Sequence, residues 1–433
     1  MATPSERLYG LLVDDDEDHG RGVVRGDPEA VPGNGVKLVS AMTLQKIGDR
    51  VVDAKTVLAW LFAAMGAPAF LTGLLVPVRE SGSLLPQAAL VPFVRRRPRR
   101  KWVWIAGATG QATAVTAMAL LAAFGGGAAA GWGILAALAV FSLSRSLSSI
   151  SSKDVLGRTI PKGQRGQISG AATVTSGLAA ITVGVAIRVF GQDAGPRTFA
   201  VLLAAAATTW MLGLLVYATI REPAGDHDAD ADTSDIGRAL SLLRDDPPFR
   251  RFVIARTLLL VSALAPPFVV TIATRETGDA IAGLGPFVIA QGVASLVGGR
   301  TWGRLADRSS RWVMVLASGL AATVVLLFLA AIRVQAVAAL ALTYPLVYFV
   351  LALLHTGARI GRKTYVVDLA EGDRRTEYVA VANTAMGVLL LATGAVSAAI
   401  ASLGVEAALA FLAVLGLAAV PVARSLPEVS ARA

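Results

Sequence analysis

Long apolar segments separated by short polar connections dominate this sequence. Each segment is close to the ~20 residues that an α-helix needs to cross the hydrocarbon core of a bilayer. Twelve segments can be marked, at residues 37–66, 68–94, 102–124, 130–150, 167–190, 197–220, 250–274, 281–302, 312–332, 334–357, 377–402 and 404–424. The pattern predicts an all-α membrane protein with twelve transmembrane helices.

The composition agrees with a protein that lies in a lipid bilayer. Of 433 residues, 55% are hydrophobic and 16% are charged, whereas soluble domains carry about 25% charged residues. Cysteine is absent and there are three histidines, so the chain has little material for disulfides, metal sites or nucleophilic catalysis. We therefore expect no enzymatic activity, no cofactor and no metal site.

The basic residues are distributed unequally between alternate connections. The even-numbered connections hold 23 Lys and Arg residues, and the opposite ones hold three, namely Arg197, Arg275 and Arg333. The positive-inside rule assigns the basic connections to the cytoplasm. This predicts that both termini are cytoplasmic, and it explains the net charge of +10 without nucleic-acid binding.

An internal repeat relates the two halves of the chain at an offset of 210 residues. The matched pairs are Lys46 and Arg256, Gly82 and Gly292, Trp102 and Trp312, Arg145 and His355, and Lys153 and Lys363. Because six helices separate equivalent positions, both halves keep the same orientation. The expected organisation is a disordered acidic tail at 1–36, six-helix bundles at 37–220 and 250–424, a cytoplasmic linker with an amphipathic helix at 221–249, and a tail at 425–433.

Two loops carry a family resemblance. The stretch GRLADRSSR at 303–311 resembles the G-x-L-A-D-R-x-G-R loop of the major facilitator superfamily, and P-x-x-x-R-G-x-x-x-G at 161–170 is similar to another loop of that family. The resemblance covers residues 37 to 424 and implies two six-helix bundles around a central cavity. It also implies a cytoplasmic gate formed by Gly303, Asp307, Arg308 and Arg311. Its first-half counterpart departs from the pattern, since Arg97 occupies the position of Asp307.

One further likeness concerns the fourth helix. Arg145 resembles an arginine found there in many proton-coupled exporters of the family. The Gly-Pro motif that those antiporters carry in the fifth helix is missing, because Gly184 is followed by Val185. A proton-coupled drug or metabolite exporter therefore stays an alternative interpretation.

Charged residues within the first two segments are candidates for binding a solute or protons. Lys46, Asp49, Arg50 and Asp53 follow a helical spacing that places all four on one face. They line either a central cavity or the interfacial start of a helix with snorkelling side chains.

In the second segment, Arg79 and Glu80 are adjacent. The pair has two interpretations, a role in transport or a structural ion pair between helices.

The tenth segment adds Tyr348 and His355. His355 is repeat-equivalent to Arg145, and the unperturbed imidazole pKa near 6.5 suits proton coupling. The alternative is a histidine that is hydrogen-bonded near a helix end. The candidate binding residues are thus Asp49, Asp53, Arg79, Glu80, Arg145, Tyr348 and His355.

The sequence predicts secondary active transport of a small polar or charged solute by alternating access, coupled to protons. No nucleotide-binding motif is present, so energy is expected to come from a gradient. We expect a monomer in the plasma membrane whose partners are lipid, solute and protons. Another alternative is a membrane receptor or scaffold that transports nothing.

Overall fold

The protein is helical throughout the part of the chain that a computed structural model describes. That part comprises residues 3–12, 27–161, 196–224, 236–277, 283–338, 340–369 and 374–429, with residues 164, 168, 171, 172, 175, 177, 178, 181, 182, 184 and 185. These residues form helices and connections, and no β-strand occurs among them.

The first half of the chain contains eight helices with defined bounds. They are α1 Pro4–Leu12, α2 Val31–Val51, α3 Val57–Ala64, α4 Ala69–Leu84, α5 Gln87–Arg95, α6 Lys101–Phe124, α7 Gly127–Thr159 and α8 Pro196–Ala218. A short 3-10 helix, Pro28–Ala30, precedes α2. Between α7 and α8, the described residues from 168 to 185 are helical and fall in the predicted fifth segment.

The second half contains the remaining helices. They are α9 Ile236–Asp245, α10 Pro247–Leu258, α11 Val261–Thr277, α12 Leu284–Ala331, α13 Gln335–Ala338, α14 Thr343–Leu369, α15 Arg374–Ala401 and α16 Val405–Arg424. The long helix α12 is two helices that meet at Ser309, whose backbone is extended. This break falls between the predicted eighth and ninth segments.

Seven helices of the described chain are long and apolar enough to cross a membrane. They are α6, α7, α8, α10 with α11, the later part of α12, the later part of α15, and α16. The helices α2, α4 and α14 are not among the seven, and they carry several of the polar and charged side chains discussed below.

The first predicted segment is not one continuous helix. The helix α2 ends at Val51, and α3 begins at Val57. In the break, Oδ1 of Asp53 accepts hydrogen bonds from the backbone amides of Lys55 (2.9 Å) and Thr56 (3.0 Å). A carboxylate that accepts bonds from the next amides in the chain stabilises a turn in place of a continued helix. The prediction that Asp53 continues one helical face with Lys46 and Asp49 is therefore wrong.

The N-terminal region also differs from the predicted disordered tail. Residues Pro4–Leu12 are helical, and α2 begins at Val31 instead of residue 37. The ring of Tyr9 is buried, and its hydroxyl donates a hydrogen bond to Oε1 of Gln164 (2.6 Å). Burial of this aromatic ring offsets the entropy of ordering a short terminal helix.

Helices from both halves of the chain pack against each other at the end of the molecule opposite to Val31. The rings of Trp60 on α3 and Phe287 on α12 lie 5.5 Å apart. A Cβ placed on Gly394 of α15 would lie 1.9 Å from Cγ of Pro77 on α4. Such close approach requires glycine, because the Pro77 side chain of α4 packs directly against the backbone of α15 at Gly394.

Acidic residues that follow α8 and α16 reach back to helix starts in equivalent parts of the two halves. Glu222 accepts hydrogen bonds from the backbone amides of Arg100 (3.0 Å) and Lys101 (2.8 Å). Glu428 pairs with Nε of Arg311 (3.3 Å), 210 residues after Lys101. A carboxylate at a helix N-terminus satisfies free donors and opposes the helix dipole. Both halves therefore fasten the helix start after a predicted cytoplasmic loop.

Candidate functional site

Asp49 joins three helices through its carboxylate. Oδ1 of Asp49 on α2 accepts hydrogen bonds from Nη2 of Arg79 on α4 (3.3 Å) and from Nη1 of Arg145 on α7. The three side chains are 16%, 10% and 34% exposed. Because one carboxylate oxygen accepts bonds from guanidinium groups on two other helices, Asp49 links the three helices.

Arg79 is a deeply buried arginine of α4. The residue is 8% exposed, and its guanidinium carbon lies 4.9 Å from the centre of the Phe141 ring, a cation–π geometry. Its Nη1 atom is buried and has no hydrogen-bond partner among the described residues. Arg79 therefore pairs with Asp49 and not with its sequence neighbour.

Glu80 stands apart from this triad. Within the described chain, its carboxylate has no direct hydrogen bond or ion pair, although it interacts electrostatically with four basic side chains. These are Lys55, Arg79, Arg145 and Arg362. A carboxylate without a fixed partner can change partners when helices move, which distinguishes Glu80 from Asp49.

Lys55 is a member of the site that the sequence analysis missed. It lies in the break after α2, is 8% exposed, and interacts electrostatically with Glu80, Arg359 and Arg362. Lys55 was not predicted because the helical spacing from Lys46 to Asp53 assumed one unbroken helix, and Lys55 does not follow that spacing. The sequence did contain a signal for Lys55, since it is a basic residue eighteen positions beyond Lys37 in a segment assigned to the membrane.

Asp53 has a local structural role in the break between α2 and α3. Its Oδ1 accepts a hydrogen bond from the hydroxyl of Thr56 (2.9 Å), in addition to those from the two backbone amides. These bonds satisfy one carboxylate oxygen and are typical of a helix start. The structure thus separates Asp53 from the Asp49 triad, although its charge still acts on Lys55.

Tyr348 and His355 lie on α14 and face different partners. The hydroxyl of buried Tyr348 donates a hydrogen bond to Oε1 of Gln291 (2.9 Å). Nδ1 of His355 lies 3.3 Å from the hydroxyl of Ser262 on α11. Three cations, Lys55, Arg359 and Arg362, interact electrostatically with His355. The α14 helix therefore brings second-half residues to the same cluster as Lys55 and Glu80.

The repeat-equivalent residues Arg145 and His355 contact chain segments that the repeat relates, but not equivalent residues. Arg145 bonds to Asp49 on α2, and His355 contacts Ser262 on α11, whose repeat-equivalent position is 52. A cation–π contact occurs at matched positions of the two halves. Lys101 lies 5.2 Å from the centre of the Trp102 ring, and the Arg311 guanidinium lies 6.0 Å from the Trp312 ring.

The residues of the predicted gate are only partly described. The side chain of Asp307 lies outside the described part of the chain. Arg308 is exposed, and a Cβ added at Gly303 would meet nothing within 4 Å. Arg311 pairs with Glu428 and donates to the carbonyl of Leu426 (3.2 Å). The pairing of Arg311 with the C-terminal segment was not predicted from the loop motif.

The site consists of acidic and basic side chains that can exchange ion-pair partners. Among the described residues, no group of three or more His, Asp and Glu side chains could hold a metal ion. The cluster instead combines a carboxylate that is bonded to two arginines, a carboxylate without a direct partner among the described residues, and several basic groups from helices of both halves. Such groups can bind a charged solute or a proton and can exchange ion pairs when helices move.

Comparisons with known proteins identify the fold. No protein-family model and no curated protein sequence matches this chain. Solved structures match closely in shape, and their sequences are 11–12% identical to this one. A D-xylose–proton symporter has a TM-score of 0.69 over 92% of this chain and 99% of its own.

Two other solved structures agree with that result. A POT family transporter in complex with a thioalcohol-conjugated peptide has a TM-score of 0.69 over 90% of this chain and 94% of its own. The nucleoside transporter NupG has a TM-score of 0.65 over 91% of this chain and 99% of its own. At this level of identity, the likeness establishes a shared fold.

Proposed function

We propose that this chain, which has the fold of the major facilitator superfamily, is a secondary transporter that moves a small polar or charged solute by alternating access. The observation that carries the proposal is the cluster of Asp49, Arg79, Glu80, Arg145 and Lys55, which meets residues of α14 between the two halves. Charged side chains at membrane depth are costly unless they serve a pathway or a pair.

The depth of the cluster supports a site near the bilayer midplane. Glu80 is eleven residues from the start of α4, and His355 is twelve residues from the start of α14. At 1.5 Å per residue, both lie about 17 Å from the helix starts, roughly half of a ~30 Å hydrocarbon core. Transporters built from two repeats place their solute sites at this level.

The proposed arrangement in the membrane has twelve spans in two six-helix bundles, at residues 37–220 and 250–424. The inequality of basic residues between connections favours cytoplasmic termini in a plasma membrane protein. The matched contacts of Lys101 with Trp102 and of Arg311 with Trp312 support the repeat. We propose a monomer, since each chain carries both halves of the site.

Alternating access requires a closed end and an end that can open. The contact of Trp60 with Phe287 closes the end opposite to Val31, which the topology assigns to the outside, and the contact of Pro77 with Gly394 holds the two halves together deeper along α4. The cytoplasmic gate is proposed to involve Gly303, Asp307, Arg308 and Arg311. Rocking of the two halves about the cluster would break one set of contacts and form the other.

Proton coupling is assigned to Glu80 in preference to Asp49. Glu80 has no fixed partner, whereas Asp49 is bonded to two arginines. Protonation of Glu80 would remove the negative charge that Lys55 and Arg362 share, and these groups would then be released toward the solute. His355 and Tyr348 are proposed to line the same space from α14.

The test is flux in proteoliposomes with a pH-sensitive dye inside. The wild-type chain should move protons when a transported solute is added, and Glu80→Gln should abolish this movement while solute exchange persists. Arg333→Gln, in the opposite predicted connection, serves as the control and should behave as wild type. Movement of protons by Glu80→Gln at the wild-type rate would contradict the coupling role.

Two rival functions give different results in the same experiment. A proton-coupled exporter, which the likeness of Arg145 favours, would drive solute out of vesicles against its gradient when the proton gradient is directed inward. A receptor or scaffold would bind a solute without any flux. An absence of flux for every solute class, with folded protein in both orientations, would reject transport.

A further inference from the structure

We infer that the solute is a small anion whose carboxylate or phosphate oxygens bind between Lys55 and the α14 residues Arg359 and Arg362. The inference rests on the proposed transport function, and it identifies the chemical class that the cluster would select. It follows from the charge balance of the site and from the pairing of each charge.

Basic groups outnumber acidic groups in the cluster. The basic members are Lys55, Arg79, Arg145, Arg359 and Arg362, and the acidic members are Asp49, Asp53 and Glu80. Arginine is charged at any physiological pH. With all eight groups ionised, the cluster has an excess of two positive charges, which a monoanion or dianion would reduce.

Two of the three acidic groups already have hydrogen-bond partners within the protein. Asp49 accepts bonds from Arg79 and Arg145, and Asp53 accepts bonds from backbone amides of the turn before α3. Glu80 is then the remaining carboxylate for Lys55, Arg359 and Arg362, and it interacts electrostatically with all three. One free carboxylate cannot balance three cations, so the excess charge lies on the side of α14.

The cations of α14 and the α2–α3 break also repel each other. Lys55 interacts with Arg359 and Arg362, and these two interact with one another. The Nε atom of Arg362 is buried without a hydrogen-bond partner among the described residues, and the described chain provides no ion pair for the Lys55 ammonium. A bound oxyanion would supply both the missing acceptor and the missing charge.

A zwitterionic solute is the chemical alternative, because Glu80 could bind an ammonium group. The surroundings of Glu80 oppose this alternative, since four basic side chains already act on it. The two possibilities make opposite predictions for Glu80→Gln. Loss of this negative charge strengthens the attraction for an anion, whereas it removes the partner of a solute ammonium.

The experiment measures binding by thermal stabilisation of the purified full-length chain at constant ionic strength. The probes are sodium phosphate, sodium succinate, choline chloride, glucose and the zwitterion glycine. Phosphate or succinate should raise the melting temperature, and choline, glucose and glycine should leave it unchanged. Stabilisation by phosphate alone or succinate alone identifies which oxyanion the site prefers.

The variants test the residues that are assigned to the anion. Lys55→Gln and Arg362→Gln should each weaken anion binding by roughly tenfold to a hundredfold, the effect of losing one charge-assisted bond. Lys55→Arg should bind as wild type and shows whether a loss in Lys55→Gln reflects charge. Arg333→Gln is the surface control, and Glu80→Gln should bind the anion more tightly.

The inference is overturned if choline, glucose or glycine stabilises the protein and the anions do not. It is also overturned if Lys55→Gln and Arg362→Gln, both folded, keep wild-type anion affinity. Flux in proteoliposomes separates this failure from failure of the transport function. Anion binding without flux rejects transport and keeps the anion site, whereas flux of a neutral solute keeps transport and rejects the anion.

Discussion

Arg145 on α7 donates a hydrogen bond to the carboxylate of Asp49 on α2. The same oxygen accepts a bond from Arg79 of α4, so one partly buried charge links three helices of the first half. Removal of one member of a buried ion pair leaves the other charge uncompensated, and this usually costs more than the pair contributes. The triad is therefore expected to stabilise the first half of the site.

The first prediction concerns the stability of this triad. Asp49→Asn should lower the free energy of unfolding by about 3 kcal/mol, because Arg79 and Arg145 lose their shared counter-charge. The measurement is the melting temperature in detergent. Asp154→Asn is the matched control, since Asp154 pairs with Arg100 but is 36% exposed, and should cost less than about 1 kcal/mol. Equal effects would show that the Asp49 pairs are weak.

The second prediction separates Glu80 from Asp49. Glu80→Gln should be closer to wild type in stability than Asp49→Asn, because the Glu80 carboxylate has no direct partner within the described chain. The same variant should lose gradient-driven accumulation of solute while it retains exchange. If Glu80→Gln unfolds as readily as Asp49→Asn, Glu80 is structural and the coupling assignment is wrong.

The third prediction concerns the closed end of the molecule. Gly394→Ala places a Cβ that would lie 1.9 Å from Pro77 Cγ, so α4 and α15 must separate. Spin labels on Ala67→Cys and Glu276→Cys should then report longer distances than in the parent double variant. Gly299→Ala is the control, since a Cβ there meets nothing within 4 Å. Unchanged distances would mean that this contact does not hold the end closed.

The fourth prediction tests the topology. The chain has no cysteine, so single cysteines report cleanly on the side of the membrane. Cysteines at Gly163 and Gly372 should react only from the cytoplasm, and one at exposed Gly126, in the loop before α7, should react only from outside. Labelling of Gly163→Cys or Gly372→Cys from outside intact cells would contradict the proposed topology.

The fifth prediction concerns the carboxylates that fasten the helix starts. Glu222 is 6% exposed and accepts two backbone amides, so Glu222→Ala should cost about 1–3 kcal/mol through the unsatisfied donors. Glu428 is 23% exposed and bonds to side chains, which water can replace. Glu428→Ala should therefore cost less. The measurement is the melting temperature of each variant. A larger decrease for Glu428→Ala than for Glu222→Ala would contradict this prediction.

The sequence by itself determined the helical class of the chain, because apolar runs near twenty residues leave helices as the economical way to bury backbone groups in lipid. It also identified Asp49, Arg79, Glu80, Arg145, Tyr348 and His355 as candidates, because charged and polar residues are uncommon in such runs. The all-helical fold expected from these runs is shared with solved structures that are 11–12% identical to this chain.

Only the tertiary structure decided which charges are partners. Arg79 adjoins Glu80 in the chain, yet successive residues on a helix point about 100° apart, and Arg79 reaches Asp49 instead. The break at Asp53 depends on one side chain that competes with the helix for backbone amides, so helical spacing could not reveal it. Lys55 lies in that break, and its electrostatic interactions with Glu80, Arg359 and Arg362 depend on how helices from distant segments pack.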